Sequence, residues 1–197
     1  MILLLASRSA ARRRLLEAAG VPFEVRTADF DEEAVKAQLR VGNPGAETLA
    51  ASLSQAKALS VPAAPGELVL GADQVLERDD GSTLDKPTSR AAAGEQLRSL
   101  SGRAHRLHAG AAIAEAGRIV WRCTESVRLH VRPLGDSFLD SYLEREYEAI
   151  RHGVGGYRIE GPGVQLFEKI EGSHFAILGL PLLPLLAYLR QRGLMEN

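Results

Sequence analysis

The apolar positions of the chain fall into short solid runs separated by helical patterns. Residues 2–6 form a compact apolar run of the kind that fills a strand buried on both faces. A turn over 7–10 leads into a helix over about 11–19, with Leu15, Leu16 and Ala19 as its apolar face and Gly20 as its stop. Residues 23–26 alternate like a short second strand. Asp31 is placed to cap a helix reaching about residue 39, and Asn43, Pro44 and Gly45 break the chain before a longer helix over 46–59. Pro62, Pro65 and Gly66 close that stretch. Leu68, Val69 and Leu70 begin a second fully buried strand that continues through residue 74.

An acidic loop with Gly81 separates this strand from a helix over 89–100. Two long strands follow, over roughly 104–114 and 118–131, joined near Ala116 and Gly117. A helix covers about 136–147, the glycine-rich segment 153–163 reads as loop with a short strand, and a last helix begins near Pro181 and ends before Gly193. Helices and strands interleave, while the central strand pair argues against a wholly parallel sheet. The fold class expected is α/β with a mixed sheet, in one domain spanning 1–197.

Composition narrows the function. A chain of 197 residues can build one sizeable core, or two lobes sharing a cleft. Its 24 Lys and Arg against 25 Asp and Glu leave no general field for a polyanion, which argues against long nucleic acid as a partner and makes any phosphate site local. The single cysteine, Cys123, rules out an internal disulfide framework and a multi-cysteine zinc site, and beside Trp121 it reads as a core thiol. The opening apolar run is too short to span a membrane and has no basic segment before it. Gly179, Pro181 and Pro184 likewise break the apolar stretch 175–189. The expectation is a cytoplasmic protein with no membrane partner.

Three constellations could carry chemistry. SRSAARRRLL, at 7–16, joins the first strand to the first helix, where exposed backbone N–H groups and the helix dipole favour an anion. Arg12, Arg13 and Arg14 oppose that dipole, a conflict that a bound phosphate would remove; the alternative is a solvated basic face. GADQ, at 71–74, places Asp73 after a buried strand, where α/β ligands usually bind. Asp73 could ligate a metal or accept a proton from water, or could simply be a turn or cap residue. Asp31, Glu32 and Glu33, with Lys57 and Lys86, offer acids for a hard cation and bases for phosphates, set against the plainer reading of a helix start and solvated lysines. There is no HExxH, CxxC or GxxxxGK[ST], and His105, His108, His130, His152 and His174 lack ligand-like spacing.

Together these segments resemble the Maf family of septum-formation-inhibitor-like nucleoside triphosphate pyrophosphatases. The likeness is carried by LLASRSAARRRLL at 4–16, DEE at 31–33, QAKA at 55–58, LGADQV at 70–75, DKP at 85–87, LSGRAH at 100–105, GGYRIEGPG at 155–163 and FEKIEGSHFAILGLPL at 167–182. The resemblance implies an elongated mixed sheet in two lobes around a central cleft, similar to the inosine triphosphate pyrophosphatase fold. It also implies hydrolysis of nucleoside triphosphates to a monophosphate and pyrophosphate, Mg²⁺ or Mn²⁺ as cofactor, a homodimer, and a house-cleaning role with a possible link to cell-division arrest.

By position, Asp73 matches the family's proton acceptor. Arg12, Lys57 and Lys86 match its phosphate-contacting bases, and Ser7 and Ser9 the small polar residues of its first loop. Glu32, with Asp73, falls on its metal position, and Glu160 on a substrate-pocket position where one subfamily has glutamine. Two departures stand out. Ala11 occupies a position where the family usually has arginine, leaving Arg13 and Arg14 as candidates to replace that cation. ADQ and Glu160 resemble the branch acting on 7-methylguanosine triphosphate, whereas Gly156-Tyr157 resembles the pyrimidine branch, so base preference stays open. Two other classes fit less of the pattern. One is a non-catalytic nucleotide-binding regulator of cell division. The other is a nucleotidyltransferase, whose loop needs glycines that 7–14 lacks.

Overall fold

The computed structural model describes residues 1–28 and 30–196. Its sheet has seven strands in the order β2-β1-β3-β5-β6-β7, with β4 paired to β3. The strands are β1 (Ile2–Leu5), β2 (Phe23–Val25), β3 (Glu67–Arg78), β4 (Thr83–Leu84), β5 (Ala104–Glu115), β6 (Arg118–Val131) and β7 (Phe167–Glu171). β1 runs parallel to both β2 and β3, whereas β4 on β3 and β7 on β6 are antiparallel. The helices are α1 (Ala10–Ala18), α2 (Glu32–Arg40), α3 (Ala46–Ser60), α4 (Arg90–Leu100), α5 (Asp136–Ile150), α6 (His174–Ile177) and α7 (Leu182–Gln191). The mixed α/β class expected from the pattern is the one observed. No described helix is long and apolar enough to cross a membrane.

The chain divides into two compact units. The first comprises 1–74, 109–125 and the segment from Ser173 onward; the second comprises 75–108 and 126–172. In the first unit the solid apolar runs are explained by helices on both faces of the strands. Leu3, Leu5, Leu68 and Leu70 pack with Leu15 and Leu16 of α1 and Leu182, Leu185 and Leu189 of α7. Leu4, Ala6 and Val69 point the other way and pack with Ala58 of α3 and Val61. Successive side chains on a strand alternate between faces, so a strand covered on both sides shows no polar positions.

The chain stops and turns obey local chemistry. Ser9 caps α1, its hydroxyl accepting from the Arg12 N–H, and Gly20 beyond its end has φ +66°. Asp31 caps α2 by accepting from Ala34 N–H at 3.0 Å. Ala116 and Gly117 both have positive φ, 48° and 74°, as a two-residue hairpin turn requires.

Four features differ from the sequence pattern. β3 runs on to Arg78, because Val75 and Leu76 are again buried. The 153–163 segment holds no strand: Gly155 and Gly156 have φ of +84° and +69° and fold into a 3₁₀ turn, with a second such turn at Pro162–Leu166. β7 ends the sheet order, and its residues 168–171 are exposed, so it carries no apolar alternation to read. α6 is too short for a helical period to register.

In the second unit α4 packs against α5. His105 Nε2 lies 2.7 Å from the Tyr157 hydroxyl, and the Tyr142 hydroxyl donates to the Gly156 carbonyl. Burial drives the His105 imidazole down to about 4 and raises both tyrosines above their ordinary range.

Candidate active site

The first unit gathers most of the residues singled out above. β1 and β3 pair in parallel only as far as Leu5 and Leu70. Ser7 and Ser9 therefore follow the end of β1, and Asp73 stands just beyond the paired stretch of β3. The sequence pattern puts Asp73 at the strand's end. It lies mid-strand, yet past the end of the parallel pair, which is the ligand-binding edge of an open α/β sheet.

Glycine brings α3 down onto this strand. A side-chain carbon at Gly71 would lie 2.3 Å from both Ala58 N and Ser54 O, and one at Gly110 would lie 2.5 Å from Ala50 O. The helix backbone thus rests on β3 and β5 with no room for even a methyl group. Lys57 is the neighbour of Ala58, and Asp73 lies two residues from Gly71, on the same strand face. That is why the two meet. Lys57 Nζ is 3.3 Å from Asp73 Oδ1 and 2.8 Å from Glu32 Oε2, with the Lys57 and Asp73 side chains only 12% and 10% exposed. Asp73 Oδ1 also accepts from the Gln74 N–H at 2.8 Å.

Arg12 completes the cluster from α1. It is buried; its Nε donates to the Gly179 carbonyl at 2.9 Å and its Nη1 to the Ser7 hydroxyl at 3.2 Å. The same hydroxyl accepts from Ser9 N–H. Burial lowers the Arg12 guanidinium's affinity for its proton, while Asp73 and, less strongly, Glu32 raise it. Two cations and two carboxylates therefore share one poorly solvated place, each pair offsetting the other's desolvation.

Other expectations land elsewhere. Lys86 and Glu160 belong to the second unit, and both are exposed. Arg13 does not turn to the cluster but pairs with Glu17 at 3.7 Å on the solvent side of α1, and Arg14 is exposed. Cys123 is half-buried rather than fully buried, its thiol pushed up by burial and then by Glu125. His105 and His108 are buried and hydrogen-bonded within the second unit. Among the described residues, no group of three or more His, Cys, Asp or Glu is arranged to hold a metal ion.

The sequence does not announce the contacts of two residues of this region. Gly179 shows there as a break in an apolar run and a letter of FEKIEGSHFAILGLPL, and Gln74 as part of ADQ, a likeness to the 7-methylguanosine triphosphate branch. Gln74 Nε2 donates to the carbonyls of Ala176 and Ile177 at 2.9 and 3.0 Å.

The chain is similar to proteins of known name over nearly its whole length. The chain is 44% identical over 195 residues to the nucleoside triphosphate pyrophosphatase of Sphingopyxis alaskensis, covering 98% of each chain. It is 48% identical over 195 residues to the protein of the same name from Nitrobacter winogradskyi, covering 98% of this chain and 95% of that one. Among solved structures, a nucleoside-triphosphatase (dITP/XTP pyrophosphatase) from Mycobacterium abscessus aligns over 98% of this chain and 96% of its own at 15% identity, with a TM-score of 0.35, too loose to bear on the fold. The profile of the Maf-like protein family matches residues 2–192, nearly the full length, and the chain belongs to that family.

Proposed function

We infer that the chain is a hydrolase that cleaves nucleoside triphosphates between the α- and β-phosphates, releasing a nucleoside monophosphate and pyrophosphate. Relatives carrying that activity in their names, at 44–48% identity over almost the whole length, support it. The observation in this chain that carries it is the meeting of Arg12 and Lys57 with Glu32 and Asp73 at one strand edge. An extended polyanion needs cations beside it, and hydrolysis needs a carboxylate beside water.

In this reading Arg12 and Lys57 bind the phosphate oxygens and offset charge that develops on the departing pyrophosphate, and Lys86 is assigned to phosphate contact by its family position alone. Ser7 and Ser9 line the first loop. Asp73 orients a water molecule and takes its proton as the oxygen attacks the α-phosphorus and the bond to the bridging oxygen breaks. Glu160 is assigned to base recognition by its family position alone. Glu32 and Asp73 would hold a divalent metal. Both already converge on one cation, Lys57, and two carboxylates with phosphate and water oxygens are a donor set that Mg²⁺ and Mn²⁺ accept. When bound, such an ion supplies charge neutralisation of the phosphates and a lower pKa for water.

One observation favours a second reading, a regulator that binds nucleotides without turning them over. Ala11 removes a cation, and Arg13, engaged with Glu17, does not replace it. A single experiment separates the two. The purified protein is incubated with a panel of canonical and modified triphosphates and Mg²⁺ or Mn²⁺, and products are resolved by ion-exchange chromatography. Equal amounts of monophosphate and pyrophosphate are expected. Nucleotide binding without release would establish the regulator, and diphosphate with orthophosphate would overturn the proposed bond cleavage.

A further inference from the structure

We propose that Gln74 is a positioning residue for the reaction, acting on Arg12 through the turn that follows α6. The inference rests on the reading of Arg12 as a phosphate-binding cation. α6 has only four residues, and the Gly179 N–H donates at 3.1 Å to one of its last two carbonyls, that of Ala176. The Gln74 amide donates to both, Ala176 and Ile177, with one nitrogen. Two residues on, the chain presents the Gly179 carbonyl to Arg12 Nε at 2.9 Å. Gln74 thus holds the turn, and the turn holds the guanidinium.

Position 179 shows how tightly these parts fit. Gly179 has φ +103°, a conformation that side chains disfavour. A carbon added there would lie 2.9 Å from Arg12 Nε and 3.2 Å from Gln74 Oε1. The backbone passes between the two side chains with nothing to spare, so a displacement of the turn reaches Arg12 directly. Fixing Nε fixes the plane of the guanidinium, leaving one Nη on the Ser7 hydroxyl and the group as a whole in the field of Asp73 and Glu32. Gln74 is also the residue after Asp73, and its own N–H donates to Asp73 Oδ1. One residue therefore ties the proposed proton acceptor and the proposed phosphate cation to a common frame.

A double-mutant cycle tests this. Gln74→Met keeps the length and loses the donor. Arg12→Lys keeps a cation and loses the Nε–H that meets Gly179. In the native background Gln74→Met should lower kcat/KM for a triphosphate by about 10-fold or more, and in the Arg12→Lys background by no more than about 2-fold, because the link it serves is already gone. In parallel, the hydrogen-bonded Arg12 Nε–H resonance of native protein should broaden or shift to the solvent-exchanging position in Gln74→Met. A purely structural role for Gln74 predicts equal activity losses in both backgrounds, or a fall in thermal stability with no change in the Nε–H signal, and either overturns the proposal. If instead Arg12→Lys alone turns over like the native enzyme, the Nε contact is not needed and this inference falls, whereas native-like use of triphosphates by Arg12→Ala would overturn the phosphate-binding role itself.

Discussion

Asp73 is held between a backbone N–H and an ammonium, which fixes the carboxylate without removing its second oxygen from use. Asp73→Asn preserves the shape, loses the proton acceptor, and should reduce kcat by at least about 100-fold with the near-ultraviolet circular dichroism unchanged. Turnover close to native would remove Asp73 from the chemistry. His105 gives a second prediction of a different kind. Its folded pKa is depressed to about 4 from the usual 6.5, so its contribution to stability is complete above pH 6.5 and is lost as pH falls toward 4. Across that window the stability advantage of native protein over His105→Gln should shrink by about 1.4 kcal/mol per pH unit in urea unfolding. A difference independent of pH would contradict a buried neutral imidazole. At this scale the sequence disclosed residue types but not partners. A carboxylate in GADQ and a lysine in QAKA are visible as letters, whereas Gln74 and Gly179 act through carbonyls, which every residue has and no motif displays.

The elements that matter most are α3 and the strands beneath it. Gly71 and Gly110 let the helix backbone touch the sheet, and that contact sets where Lys57 stands. Gly71→Ala must push the helix away or bend the strand, since the atoms it meets are backbone and cannot rotate aside. Overpacking of this sort costs about 1–3 kcal/mol, and chemical denaturation should register that loss together with a fall in activity as Lys57 leaves Asp73. Gly135→Ala is the comparison: its added carbon meets nothing within 4 Å, so the loss should be confined to the cost of alanine at the N-cap of α5, and turnover should match the native protein. Native-like behaviour of Gly71→Ala would refute the close-contact account. Helix and strand ends were the most legible feature of all, because Asp31, Gly20 and the Ala116-Gly117 turn carry their geometry in their own chemistry. β7 was illegible for the opposite reason: an exposed edge strand has no buried face to impose alternation.

On the scale of the whole molecule, the residues proposed for the chemistry are distributed over both compact units. Arg12, Glu32, Lys57 and Asp73 lie in the first, and Lys86 and Glu160 in the second. Substitutions at Arg12 or Lys57 should lower kcat/KM for every triphosphate alike, because the phosphates are common to all. Glu160→Gln should instead change the ratio between bases by about 5-fold or more while the best substrate remains well used, as expected for a group that reads a polar base edge. A uniform loss would place Glu160 outside base recognition. The alternation of helices and strands made the fold class readable from the start. Where the chain divides into two units was not, since it crosses between them in mid-strand at 74–75, 108–109 and 125–126, where no linker composition marks the passage, and outside a strand only at 172–173. The central claim is that water attacks the α-phosphorus of a triphosphate beside Asp73. Turnover in ¹⁸O-water, followed by mass spectrometry of both products, tests it most directly. The account predicts the label in the nucleoside monophosphate alone; label in the pyrophosphate would contradict it.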